Sequence, residues 1–319
     1  MLRELKFVQG AVAKKDLLPA LTNFRIEGGH VRSFNGKLAL SSPIAFNIDC
    51  NPKAEQLLRA IAQCDDVIVL SMTSGGRLRV QSGRFRAFVE TLEGETAHPL
   101  PEGEEVHFDG DHMLAACKLL MEFVGEDASK PWTNGVLFMG HSAFATNNVI
   151  IIEYWLGSPF PEVINVPRDC IREIVRINEP PTHAQISGNS ITFHYTDGRW
   201  IRSQLLNTDW PFEMITKLLS GPSNPKPVPD ELFEGIEVLK RMADGSSRIY
   251  LSNGLLRTHT EENTGGSYEV DGIEFDGVYN LAMLAKLKGV VTTADFTLYP
   301  APCLFFGERI RGAVIGMRS

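Results

Sequence analysis

The sequence predicts an α+β protein made of three similar domains, and three observations predict it. Motifs recur at near-constant spacing. Each copy alternates helical patterning with short strands, and proline-rich polar linkers separate the copies. With 319 residues, 43% of them hydrophobic, the chain is long enough for two or three domains with a core each.

The repeat is legible in its turns. Thr22-Asn23 is followed by Gly29-His30 and Phe34-Asn35-Gly36; Thr133-Asn134 is followed by Gly140-His141 and Ala145-Thr146-Asn147-Asn148. Thr22 to Thr133 and Gly29 to Gly140 span the same 111 residues. Asn51-Pro52 opens a helix with Leu57, Leu58 and Ile61 on one side, and Val166-Pro167 opens another with Ile171, Ile174 and Val175. Pro52 to Pro167 is 115 residues, and so is Gly83 to Gly198 in the closing turns Ser82-Gly83-Arg84 and Asp197-Gly198-Arg199. A third copy keeps the order. A helix over 229–243 carries Leu232, Ile236, Leu239 and Met242; a strand and turn follow over 250–255, a second helix over 281–287 and a closing turn over 305–309.

Between the helices, alternating stretches such as Ile191-Thr192-Phe193-His194-Tyr195 suit half-buried antiparallel strands. Asn35-Gly36, Gly75-Gly76, Asp197-Gly198 and Asn253-Gly254 suit hairpin turns. A hairpin-rich chain can match itself by chance, but constant offsets across several ordered motifs argue against chance. The segments 95–105 (ETAHPLPEGEE) and 220–230 (SGPSNPKPVPD) read as linkers. They set boundaries near residues 103 and 221, hence domains 1–103, 104–221 and 222–319.

Composition narrows the function. Net charge is −8, so nucleic-acid binding over the whole surface is disfavoured, and positive charge would have to be confined to one surface. No apolar run reaches the roughly 18 residues that cross a bilayer, since Val149-Ile150-Ile151-Ile152 is cut off by Glu153. The N-terminus lacks a signal-peptide pattern. A soluble cytoplasmic protein without a membrane partner is expected. Cys50, Cys64, Cys117, Cys170 and Cys303 are odd in number and dispersed, which suits reduced thiols in cores.

An enzyme is the rival class. No P-loop, G-x-S-x-G, H-E-x-x-H or G-x-G-x-x-G motif occurs. The eight histidines (His30, His98, His107, His112, His141, His183, His194, His259) show no ligand spacing and read as surface or turn residues. Cys170 between Arg168 and Arg172 could have a lowered pKa, but without a base beside it a core thiol is the better reading. The acidic pairs Asp65-Asp66, Asp109/Asp111 and Glu261-Glu262 could hold a metal; their positions favour solvated caps. No catalytic residue, metal ligand or cofactor is expected.

The positive charge gathers on helices. Arg168, Arg172 and Arg176 fall at i, i+4 and i+8, one stripe away from Ile171, Ile174 and Val175. The matching helices carry Lys53 and Arg59 in the first copy and Lys286 and Lys288 in the third. The opening helices add Arg3 and Lys6, then Lys118, then Lys240 and Arg241. Unpaired Lys and Arg can neutralise phosphates without reading bases. Ordinary solvated helix faces are the plain alternative. For the arginine stripe the phosphate reading is preferred.

The ordered motifs resemble the bacterial beta sliding clamp over nearly the whole chain. Leu18-Pro19-Ala20-Leu21-Thr22-Asn23, Asn134-Gly135-Val136-Leu137-Phe138, Ala145-Thr146-Asn147-Asn148, Val166-Pro167-Arg168, Asp209-Trp210-Pro211-Phe212 and the terminal Ala313-Val314-Ile315-Gly316-Met317-Arg318-Ser319 are similar to family segments. The resemblance implies three clamp domains per chain, closing head to tail with a second copy into a homodimeric ring. Helices would line a central channel, with antiparallel sheets outside. It implies a DNA sliding clamp that encircles double-stranded DNA without sequence preference and tethers the replicative DNA polymerase as processivity factor. Polymerase and clamp loader would bind through short peptide motifs.

Lys15, Lys130 and Trp132 match positions that face DNA. The peptide pocket falls on Thr133, Thr146, Val149, Ile150, Ile151, Pro211, Thr216, Ala313, Ile315 and Met317. Departures concentrate there: Asn148-Val149-Ile150-Ile151 replaces a Gly-His-Arg-Leu segment, Gly316 replaces a proline, and Thr133 stands at an apolar position. The chain also begins directly at the first helix. A divergent member, from a bacterial cell or a phage-infected host, fits these departures. The other class kept open is a non-replicative DNA-binding or scaffold module of repeated clamp-like domains, which would need neither pocket nor ring.

Overall fold

The structure, a computed structural model, describes residues 1–319 except 16, 17, 66, 95–97, 244–246, 262, 274 and 319. Seven α-helices occur among the described residues: α1 (Leu2–Val8), α2 (Ala54–Ile61), α3 (Gly110–Leu120), α4 (Arg168–Ile177), α5 (Phe212–Leu219), α6 (Asp230–Leu239) and α7 (Leu281–Ala285). The helices open where the prolines and asparagines place them. α4 follows Pro167 directly and stops at Asn178, whose φ of 59° is a left-handed cap. α2 buries Ala54, Leu57, Ala60 and Ile61, a spacing of three to four that makes one apolar stripe. α4 likewise buries Cys170, Ile171 and Ile174.

The hairpin turns fall at the glycines. Asn253 (φ 44°) and Gly254 (φ 78°) join strands Arg248–Ser252 and Leu255–Arg257 with positive φ at both central residues, as a two-residue hairpin of matching twist requires. Gly36, Gly76 and Gly198 also have positive φ between paired strands.

Two compact units make up the chain. The first comprises 1–117 and 160–207, the second 118–159 and 208–319. The second sequence copy therefore contributes to both. In the first unit a seven-stranded antiparallel sheet runs Arg25–Glu27, His30–Phe34, Leu38–Pro43, Trp200–Gln204, Ser190–His194, His183–Ile186, Glu104–Val106. Its middle pair, with Leu40 opposite Ile201, joins strands of two different copies. Leu40, Ile201, Phe193 and Ala184 are buried on it, and α1 seats Leu5 and Val8 in the same core. A three-stranded sheet of Val69–Met72, Leu78–Ser82 and Phe85–Val89 completes this unit's larger sheets.

In the second unit a six-stranded sheet runs Gly135–Thr146, Ile150–Pro167, Ile310–Val314, Cys303–Gly307, Thr293–Asp295, Lys226–Pro227. Ile150 lies opposite Val314 and Ile151 opposite Ala313, so again one copy's strand is finished by another's. A four-stranded sheet is ordered Ser267–Glu269, Leu255–Arg257, Arg248–Ser252, Gly277–Asn280.

Several expectations are corrected. The helix expected over 229–243 ends at Leu239, because Arg241 and Met242 hydrogen-bond to carbonyls three residues back instead of four; Met242 is therefore exposed. The helix expected over 281–287 tightens in the same way after Ala285. Both linkers contain strand: Glu104–Val106 pairs with His183–Ile186, and Lys226–Pro227 with Thr293–Asp295. α5 had no counterpart in the sequence reading.

Asp295 ties this second linker down. It is buried, and its carboxylate accepts from the Asn224 N–H (2.6 Å) and from the Thr297 N–H (3.1 Å) and hydroxyl (2.5 Å). Burial alone would raise its pKa; these donors outweigh burial and hold it below the usual carboxylate range. Its contribution to stability is thus present above the unfolded carboxylate pKa and fades as pH falls through the lower folded value. Asp295→Ala should lower stability at neutral pH and flatten acid unfolding, read as the denaturant midpoint against pH; a parallel shift at every pH would contradict this account. Ile171→Ala, at a fully buried site on α4, should cost about 2–5 kcal/mol in the same assay.

Candidate functional site

The sequence-predicted pocket residues divide into two groups. Thr146, Val149, Ile150, Ile151, Ala313 and Ile315 line one cleft of about 400 Å³ in the second unit. Its floor is the register just described. Its rim is fixed by a tight turn: the Asn147 side chain accepts from the N–H groups of Val149 (3.1 Å) and Ile150 (2.9 Å), while the Thr146 hydroxyl donates to the Ile150 carbonyl (2.8 Å). Asn148 takes a φ of 68° in that turn. Ile315 continues the last strand by donating its N–H to the Val149 carbonyl (2.9 Å).

The other four do not line the cleft. Thr216 sits on α5, where successive residues turn by about 100°. Met214, Ile215 and Leu218 share the face towards the cleft, so Thr216 points elsewhere and is exposed. Pro211 is the residue before α5. Thr133 is fully buried, its hydroxyl donating to the Lys130 carbonyl (2.9 Å). Met317 anchors the tail instead: its N–H donates to the Val278 carbonyl (2.7 Å), and its carbonyl accepts from the Tyr299 hydroxyl (2.8 Å).

Lys130 and Trp132, matched above to DNA-facing positions, are lining residues of this same cleft. Trp132 packs edge-on against Trp210, with ring centroids 5.1 Å apart. Beneath lie Leu137, Phe144, Leu219 and Leu304. Met214 is 65% exposed and Ile315 46%, which leaves apolar surface uncovered at the rim. Asn148, Met214, Ile215 and Leu218 were missed from the sequence. The spacing of Ile215 and Leu219 after Pro211 was the available signal for α5.

The basic residues also divide. Lys6, Lys15, Lys118, Lys240, Arg241 and Lys288 are exposed. Arg3 is exposed beside Glu179 (3.3 Å), and Arg59 is exposed with Glu55 one turn before it. Lys240 and Arg241 lie just past the end of α6, and Lys288 past α7. Three of the set are committed within the fold. Lys53 donates to the Thr22 hydroxyl (2.7 Å), and Lys286 to the Glu122 carbonyl (2.5 Å). Arg176 donates to the Phe7 (2.8 Å) and Lys6 (3.3 Å) carbonyls and to Glu173 (2.6 Å).

The arginine stripe is therefore not a row of unpaired cations. Arg176 holds the open carbonyl end of α1, Arg172 is exposed but pairs with Asp169 (3.0 Å), and Arg168 is half-buried. A Cβ at Gly10 would fall 1.9 Å from the Glu173 carboxylate, so a larger residue there would have to push the Glu173 and Arg176 side chains aside.

The thiol weighed as a nucleophile is not activated. Burial raises the Cys170 thiol well above its ordinary pKa and takes its neighbour Cys117 to about 12, against the lowered value that a nucleophile needs. Among the described residues, no three His, Cys, Asp or Glu side chains converge as placed on a metal-sized point. Asp66 and Glu262, members of two acidic pairs, lie outside the described residues. No helix among the described residues is long and apolar enough to cross a membrane.

No protein-family model and no curated protein sequence matches this chain. Solved structures match over its full length. The Caulobacter crescentus beta sliding clamp superposes with a TM-score of 0.85 at 16% identity, covering 100% of this chain and 97% of that one. The DNA polymerase III subunit beta of Pseudomonas aeruginosa gives 0.84 at 18%, with the same coverage. A sliding clamp from Bartonella birtlesii, bound to griselimycin, gives 0.84 at 14%, again with 100% and 97% covered. The fold of this chain is the fold of these clamps.

The split among the arginines can be measured. Arg176→Ala should cost about 1–2 kcal/mol, since it strips donors from two helix-end carbonyls. Arg172→Ala, which breaks one exposed pair, should stay within about 0.5 kcal/mol. Equal losses in chemical denaturation would refute the distinction.

Proposed function

We propose that this chain is a DNA sliding clamp. Its three domains, 1–103, 104–221 and 222–319, would close head to tail with those of a second copy into a ring around duplex DNA. One observation carries the reading: agreement with the clamp fold over 100% of this chain. The apolar cleft adds support, because a clamp must hold partners by short peptide anchors that exchange readily. The protein does no chemistry in this reading. It acts in the cytoplasm by keeping a replicative polymerase at high effective concentration near the primer end, and a clamp loader would use the same cleft.

The exposed cations Arg3, Lys6, Lys15, Arg59, Lys118, Arg172, Lys240, Arg241 and Lys288 would face the duplex. They neutralise phosphates and read no bases, so binding is weak, salt-sensitive and compatible with sliding. Lys53, Arg176 and Lys286 serve the fold, and Lys130 with Trp132 serves the cleft.

Light scattering should give a species of twice the 35.4 kDa chain mass. A monomer at every concentration would remove the ring. Arg59→Glu with Arg172→Glu should shorten retention on circular DNA and lower the salt slope of binding by about one per lost phosphate contact, with the dimer intact. Unchanged retention would take α2 and α4 out of the channel. Met214→Asp, at an exposed rim position, should weaken griselimycin binding by about tenfold or more; unaltered affinity would separate the cleft from the peptide role.

A further inference from the structure

Two surfaces outside the cleft carry opposite charge and leave apolar side chains uncovered. The first is the three-stranded sheet of the first unit. From Val67 to Val89 the chain holds four arginines (Arg77, Arg79, Arg84 and Arg86) and no acidic residue. Side chains alternate between the two faces of a strand, and one face of this sheet is buried through Leu78, Val80 and Val89. The other face sets Arg79 opposite Phe88 and places Gln81 between Val69 and Arg86, while Arg77 and Arg84 stand at the turns. Phe88 and Val69 are each just over half exposed. Arg79 donates to the Ser71 hydroxyl (3.0 Å), and among the described residues no carboxylate pairs with any of the four arginines.

The second surface is α6 in the second unit. Asp230, Glu231, Glu234 and Glu237 are its only charged residues, all four are exposed, and the nearest bases, Lys240 and Arg241, come after its end. Glu231, Glu234 and Val238 fall at i, i+3 and i+7 and so share a face, turned away from the buried Leu232, Ile236 and Leu239. Val238 and, just past the helix, Met242 are each just over half exposed. Acids in a first turn suit the helix dipole, which accounts for Asp230 and Glu231. Glu234 and Glu237 lie beyond that turn, and none of the four acids is in an ion pair among the described residues.

Neither set finds its counter-charge within the chain, so the complement belongs to another molecule. Arginine and aromatic residues are enriched at association surfaces, and opposed charge steers and registers the partners. A second copy supplies both complements at once. We propose, resting on the ring reading above, that the arginine face of this sheet docks on the acidic face of α6 in a second copy, and that two such contacts close the ring under the control of ionic strength. The contact is heterologous because the two faces differ, and it closes instead of growing into a filament when the second copy returns its own pair. Salt weakens such a joint, since the Debye length falls from about 10 Å at 0.1 M to about 3 Å at 1 M. Phe88 and Val69 on one side, with Val238 and Met242 on the other, supply apolar contact that salt does not screen.

The test is sedimentation velocity of the full chain over a range of concentrations, at about 0.1 M and about 1 M NaCl. The dimer dissociation constant should rise about tenfold or more at the higher salt. Arg84→Glu with Arg86→Glu sets acid against acid, and Glu234→Arg with Glu237→Arg sets base against base. Each variant alone should be monomeric where the parent is dimeric. An equimolar mixture of the two should recover the dimer, because both junctions of the mixed pair again join opposite charges. All four positions are exposed, so denaturant midpoints should match the parent's. Glu237→Gln alone, neutral and of the same shape, should weaken the dimer in the same direction. A dimer that persists in both charge reversals, or a mixture of folded variants that stays monomeric, would overturn the joint and leave the ring standing. A parent that is monomeric at both salts would overturn the ring and the joint with it. Loss of binding to a labelled single-stranded oligonucleotide in the arginine variant, with its dimer intact, would make the sheet a nucleic-acid surface instead.

Discussion

An antiparallel strand with its outer N–H and C=O groups unpaired is an open template for association, and repeated domains multiply such edges. This chain pairs them with one another. Leu38–Pro43 of the first copy is completed by Trp200–Gln204 of the second, and the start of Ile150–Pro167 in the second copy by Ile310–Val314 of the third. Everything else hangs on these two registers. A slip of one residue would turn Leu40 and Ile201, or Ile150 and Val314, to the opposite face, emptying the core under α1 in one unit and the cleft floor in the other.

Charge is handled with the same economy. Buried guanidinium groups are stable only where carboxylates or carbonyls surround them, and the structure meets that condition repeatedly. Arg25 is 9% exposed between Glu27 (2.8 Å) and Asp49 (2.5 Å). Arg199, 7% exposed, bonds to Asp197 and Glu179 and stacks 4.8 Å over the Phe7 ring. Arg176 and Glu173 extend this inner set to the end of α1. Basic residues thus divide into bolts within the fold and cations left outside. Only the second group can meet a polyanion without dismantling something, so an acidic protein can keep a localised basic surface.

Much of this was readable from sequence. Turn glycines gave away the repeat because a left-handed backbone narrows the choice of residue; Gly198 and Gly254 fall where hairpins demanded them. Helix starts were readable because Pro167 and its equivalents punctuate. Pairing was not. The spacing of Arg168, Arg172 and Arg176 set them on one helix, but the carbonyls that Arg176 grips belong to residues 6 and 7, some 170 positions away. α5 escaped because it is only two turns long, so the contrast between Ile215 and Leu219 on one face and Glu213, Thr216 and Lys217 on the other makes a short pattern. Met214, Ile215 and Leu218 of the cleft lining were hidden with it.

The register joining Leu38–Pro43 to Trp200–Gln204 also has a bearing on synthesis. Residue 43 leaves the ribosome about 160 residues before its neighbouring strand exists, which at ~5–20 residues per second is a wait of roughly ten to thirty seconds. Throughout that interval the nascent chain exposes a strand with Leu38, Ala39 and Leu40 along it and one side unpaired. A holding chaperone, or temporary cover by α1, would be most valuable in that window. Slow codons between residues 43 and 200 would lengthen it and favour aggregation, without altering a single contact of the finished protein.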